Sequence, residues 1–162
     1  MKTGKKLEKI RGFDVWLTVG RTNLKVHRAL NHALAEIDLS LAQHEILLAV
    51  WQNPGITQKQ LGESLLVVKS NVSALIKKLE TRGLVRRECD SSDTRNKCLE
   101  LTARGVALVK KSFACQNQII EAMVAVMSDE DLERTLDVMR RVSKALDQSF
   151  LKTADNARRP EL

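Results

Sequence analysis

Ser70, Asn71, Ser73 and Lys77 crowd one short stretch of the chain. Hydroxyls, an amide and an ammonium so close together are hydrogen-bonding chemistry. Short polar side chains beside a cation suit the major groove of duplex DNA, because they let a backbone approach base edges. The same stretch carries Val72, Leu75, Ile76 and Leu79 at i, i+3, i+4 and i+7. A step of about 100° per residue gathers those four on a buried helix face. Ser70, Ser73, Ala74 and Lys77 then face outward, with Asn71 at the flank, where it caps the helix or meets a phosphate. Lys69, Lys78, Arg86 and Arg87 are placed to contact phosphates or to raise the local potential.

The elements around this face follow from local signals. Ser40-Leu-Ala-Gln43 and Thr57-Gln-Lys-Gln60 both have the capping-box pattern, and Ile56 and Leu61 are spaced as a hydrophobic staple around the second. A helix from Leu41 stops at Asn53-Pro54-Gly55, a turn signal. A short helix follows over about 58–65, and the face-bearing helix runs over about 69–81 to a stop at Gly83. Residues 84–89 and 97–101 read as strands around DSSDTRN, a tip with no apolar side chain. Helix, turn, helix and hairpin in that order make a winged helix-turn-helix. Outside it, apolar positions recur with mostly helical spacing over about 11–37. Thr102 caps a helix reaching about Met127, and Ser128 caps a last one carrying Leu132, Leu136, Met139, Val142, Leu146 and Phe150. These stripes exceed what one small winged domain must cover, and a subunit interface is their simplest use.

Composition supports a mainly α fold with a small β-hairpin wing. The 162 residues hold two prolines, no tyrosine, two tryptophans and three phenylalanines, so Leu, Val, Ala and Ile build the core. The net charge is +7. Residues 65–111 carry +6 of it and residues 1–12 carry +4, which leaves the remainder acidic. A solvated basic surface explains charge alone; charge concentrated on the helix and hairpin suits a polyanion. The expected organisation is a flexible basic tail at 1–10, one domain at 11–152 and a flexible tail at 153–162. Within the domain, 40–102 is the winged helix-turn-helix, and 11–37 and 103–152 are N- and C-terminal dimerisation helices.

Four runs in this order resemble the MarR family of transcription regulators. They are Ile56-Thr-Gln-Lys-Gln-Leu-Gly62, Asn71-Val-Ser-Ala-Leu-Ile-Lys-Lys-Leu-Glu-Thr-Arg-Gly-Leu-Val85, Asp93-Thr-Arg95 and Leu99-Glu-Leu-Thr-Ala-Arg-Gly105. The resemblance covers roughly residues 11–150. It implies a homodimer whose winged lobes read successive major grooves of a pseudo-palindrome in double-stranded DNA, as a ligand-responsive repressor. It implies that Arg95 enters the minor groove and that Asp93 orients a nearby arginine. Ala74 departs from the family's frequent Arg or polar residue, and Val68 from its frequent capping Ser; both bear on the operator sequence. The resemblance also implies a small aromatic or phenolic effector, for which Trp16, Arg21, His27, His44 and Trp51 are candidate lining residues. Core packing for the tryptophans, and surface or helix-edge positions for the others, is the competing explanation.

Two other readings are weighed. Cys89 and Cys98 flank the wing tip, where a disulfide would act as a redox switch, but no cysteine precedes residue 89 and small apolar roles explain these two and Cys115. A winged-helix protein-interaction module without DNA binding has the same elements; it would lack the steep salt dependence of a DNA binder. No metal or cofactor is expected, since His27, His32 and His44 lack ligand spacing. No phosphate loop, nucleophile elbow or zinc-protease motif marks an enzyme. The first residues lack an apolar signal core and no apolar run reaches membrane-spanning length, so a cytoplasmic protein is the expectation.

Overall fold

The computed structural model describes residues 10–65, 72–89 and 97–151. Helix α1 spans Phe13–Ala35 and α2 spans Leu41–Gln52. Strand β1 is Ile56–Thr57, followed by α3 (Gln58–Ser64) and α4 (Val72–Thr81). The wing strands are β2 (Val85–Cys89) and β3 (Lys97–Leu101). Helix α5 spans Ala103–Val124 and α6 spans Asp129–Leu146, with a π-helical turn at Asp147–Leu151. The chain divides into two compact units between Ile119 and Ile120.

Both expected capping boxes close, and the Ser128 cap proves to be a third. The Ser40 hydroxyl accepts from the Gln43 amide while the Gln43 side chain accepts from the Ser40 amide, and Thr57 and Gln60 do the same. Ser128 pairs likewise with Asp131, whose carboxyl is held below its usual range chiefly by the Ser128 hydroxyl. Each such cap is worth about 1 kcal/mol, and because each is local it fixes a helix start before any tertiary contact forms. Helix α5 ends at Val124, short of the expected Met127.

The core of the first unit is aliphatic. Leu34, Ile46, Leu47, Leu61, Ile76, Leu79, Leu84, Leu99 and Val109 are fully buried. They come from α1 to α5 and from the sheet, so every element of the winged motif is anchored in one cluster. The sheet has three antiparallel strands in the order β1-β3-β2. Strand β1 is a difference from the sequence reading: Ile56 pairs with Leu99 and Thr57 with Cys98. Ile56 is buried as a staple should be, but it also ties the start of α3 to the wing.

The base of the wing is a tight junction. Gly83 takes φ 66°, the left-handed conformation that ends α4 and that glycine tolerates without strain. The Leu84 carbonyl accepts from the Thr102 amide at 3.1 Å. The Thr102 hydroxyl donates to the Gly83 carbonyl at 2.6 Å and accepts from the Gly105 amide at 3.0 Å, which starts α5. Gly105 lies under the Leu84 carbonyl so closely that an added Cβ would overlap its oxygen. Gly105→Ala must therefore displace backbone rather than a side chain. Urea denaturation should show a loss of about 3 kcal/mol, the upper end for a misfitted buried methyl; a loss below about 0.5 kcal/mol would show that the junction yields.

Candidate nucleic-acid interface

Helix α4 presents the expected two faces. Val72, Ile76 and Leu79 are buried and Leu75 is half-buried, whereas Ser73, Lys77 and Lys78 are exposed. Ala74 is half-buried at the edge. The exposed strip is thus one hydroxyl followed by two ammonium groups, and it continues the short, cationic surface read from the sequence. Lys69, Ser70, Asn71, Asp93 and Arg95 lie outside the described residues.

The contact from the preceding helix was not readable beforehand. Gln58, in the first turn of α3, donates its side-chain amide to the Ser73 hydroxyl at 2.5 Å. That bond joins the two helices of the motif at their exposed edge and orients the Ser73 hydroxyl. The capping box immediately before Gln58 was the available signal, because it fixed which residue opens α3.

Arg86 and Arg87 are both exposed, and both are ion-paired within the chain. Arg86 lies opposite Glu100 across the β2–β3 ladder and meets its carboxylate at 2.7 Å. Arg87 reaches back to Glu80 on α4 at 3.0 Å. Exposed pairs of this kind are worth about 0–1 kcal/mol, so a phosphate can displace either acid. Arg86 thereby ties the two wing strands together and Arg87 ties the wing to α4, and both pairs lower the free positive charge on this surface.

The β2–β3 register also bears on the cysteines. Glu88 pairs with Cys98 and Cys89 with Lys97. Positions 89 and 98 are offset by one residue, and strand alternation puts them on opposite faces of the ladder.

The five effector candidates do not form one site. Trp16 and Arg21 share a hollow on α1 with Leu17, Val19, Gly20 and Leu24. His27 is half-buried elsewhere on α1. Trp51 is half-buried and packs edge-on against Phe113, ring centroids 5.7 Å apart. His44 is a core residue. Its Nδ1 lies 3.0 Å from the Ser112 hydroxyl and its Nε2 3.0 Å from the Gln116 side-chain oxygen, so it clasps α2 to α5. The Ser112 hydroxyl also reaches the Val109 carbonyl at 3.0 Å. A neutral ring protonated at Nε2 donates to the Gln116 oxygen, and the single Ser112 proton then serves either Nδ1 or the Val109 carbonyl.

A sequence model of the MarR family matches residues 39–97. The transcriptional regulator HosA of Escherichia coli O111:H- is 30% identical over 108 residues, which make up 67% of this chain and 80% of that protein. The chain belongs to the MarR family. Two solved MarR-like structures share its fold. One is the S. aureus MepR–DNA complex, with a TM-score of 0.70 and 22% identity over 86% of this chain and 98% of that one. The other is the PcaV regulator of Streptomyces coelicolor with its natural ligand, with a TM-score of 0.68 and 22% identity over 86% and 95% of the two chains. As a MarR-family protein the chain is a DNA-binding transcriptional regulator.

Two outcomes follow. Lys77→Ala should weaken duplex binding and reduce the slope of log affinity against log salt by about one unit, the loss of one released counterion; fluorescence anisotropy at several salt concentrations measures both. Burial holds the His44 pKa below its ordinary value, with the Gln116 bond opposing. Below pH 6.5 the unfolded chain then binds a proton that the folded chain resists. The stability His44 contributes is complete above pH 6.5 and is lost as pH falls through its folded pKa. Denaturant melts should show that loss, and His44→Gln should flatten the dependence; an unchanged slope would exclude His44 as its source.

Proposed function

We propose that two copies of this chain form a ligand-responsive repressor on a pseudo-palindromic operator. Each α4 enters one of two successive major grooves, with half-sites about 10 base pairs apart. Arg95 at the wing tip enters the flanking minor groove, where negative potential attracts guanidinium, and Asp93 orients a neighbouring arginine. Ser70, Ser73 and Lys77 read bases, Asn71 caps α4 or meets a phosphate, and Lys69 and Lys78 hold phosphates. The observation that carries this reading is the split of α4 into a buried aliphatic face and an exposed hydroxyl-and-ammonium face. A dimer occupying a promoter excludes polymerase, which makes repression the expected sign; no catalytic step is assigned. The site of action is the cytoplasm.

Exposed apolar side chains support the homodimer. On α1, Val15, Trp16, Val19 and Leu24 stand in solvent, Trp16 at 68% exposure. On α6, Leu136, Met139, Val142 and Leu146 are likewise uncovered. Surfaces of this composition mark interaction sites, and a second copy is the occupant that the family's operators call for. A small effector is supported by the ligand held in PcaV and by the hollow that Trp16 shares with Arg21, a ring beside a guanidinium.

Selection of bound duplexes from a random pool should return a two-fold symmetric site. Arg95→Ala should lose duplex affinity while sedimentation still reports a dimer; unchanged affinity at moderate salt would count against the wing. Leu24→Glu with Val142→Glu should shift the chain to monomer and abolish duplex binding. A native chain that stays monomeric at micromolar concentration would overturn the homodimer.

A further inference from the structure

A second cavity lies in the winged lobe. It holds about 310 Å³ between the α1–α2 turn, the end of α4 and the first turns of α5. Its floor is aliphatic: Ile37, Leu84, Ala107 and Leu108. Arg104, Ala107, Leu108 and Lys111 are spaced at i, i+3, i+4 and i+7, one face of α5, so the two cations rim the aliphatic pair. Arg104 and Lys111 are exposed, and among the described residues neither joins an ion pair.

The opposite rim is a latch. Asp38 takes φ 52°, a left-handed conformation that Asp tolerates better than most residues. That turn offers Arg82 two acceptors, the Asp38 carbonyl at 2.8 Å and its carboxylate at 3.1 Å. Asp38 neutralises Arg82, so Arg104 and Lys111 leave the cavity with an uncompensated positive charge. Leu84 precedes β2 and Arg104 follows β3, so the cavity sits at the base of the hairpin, at the ends of those strands opposite Cys89 and Lys97.

We propose that this cavity binds an aliphatic carboxylate. The carboxylate group meets Arg104 and Lys111, and the hydrocarbon chain lies on Ile37, Leu84, Ala107 and Leu108. The class is set by the lining: two free cations call for an anion, and an aliphatic floor without a ring offers an acyl chain cover but gives an arene nothing to stack on. Arg82 follows α4 directly, so a carboxylate competing with Asp38 for its guanidinium is felt at the reading helix. This coupling rests on the reading of the chain as a ligand-responsive DNA regulator; the binding site does not.

Isothermal titration of the full chain with sodium octanoate at constant ionic strength tests it. One saturable site per chain is expected. Arg104→Gln with Lys111→Gln should weaken it about tenfold or more with the melting temperature retained. Leu108→Asp, which keeps the cations and spoils the floor, should weaken it as well. No saturable binding, equal binding by the double variant, or equally tight binding of potassium phosphate or sodium benzoate would overturn the proposal. Duplex affinity of the same preparation separates the two readings. Octanoate bound without any duplex binding sustains the site and sinks the regulator; duplex bound without octanoate sinks the site alone. With both bound, octanoate should change duplex affinity about fivefold, and an unchanged affinity would overturn the route through Arg82.

Discussion

The winged lobe depends on one backbone oxygen. The Leu84 carbonyl receives the Thr102 amide and has Gly105 beneath it, so the end of α4, the start of β2, the end of β3 and the start of α5 converge there. The Thr102 hydroxyl uses its donor on Gly83 and its acceptor on Gly105. Neither function is spare, and no other residue type but serine offers both from so short a side chain. The angle of the wing relative to α4 is set at this junction.

Charge on the lobe is organised rather than merely abundant. Two of the wing's arginines face acids, Glu100 across the ladder and Glu80 on α4. Arg86 braces one wing strand on the other and Arg87 braces the wing on the helix, so a phosphate would have to displace an acid to reach either. Lys77 and Lys78 remain as exposed ammonium groups on the strip itself. A net charge of +7 therefore overstates the field that an approaching duplex meets at the sheet and describes it better at the helix.

The parts that sequence could give were those decided within a few residues. Ser40 and Thr57 announced helix starts because a capping box needs only positions N-cap and N3, and Ser128 because an N-cap is a single residue. Val72, Ile76 and Leu79 announced the buried face of α4 because helical periodicity is local. What it could not give required partners far along the chain. His44 meets Ser112 and Gln116 from another helix, and nothing in its own neighbourhood marks it as a core clasp rather than a cavity wall. Arg82 needed Asp38, and Arg86 needed the strand register. Strand β1 escaped because two residues carry no alternation to detect. The separation of Trp16 from Trp51 has the same origin: both are aromatic positions on helices, and only packing distinguishes them.

That separation makes the chain its own optical instrument. With no tyrosine present, ultraviolet emission comes from two indoles. Trp16 stands in water on the surface proposed to meet another copy, whereas Trp51 is held against Phe113 inside the lobe. Assembly should shift the colour of the first and unfolding that of the second, so association and denaturation can be followed separately without any attached dye.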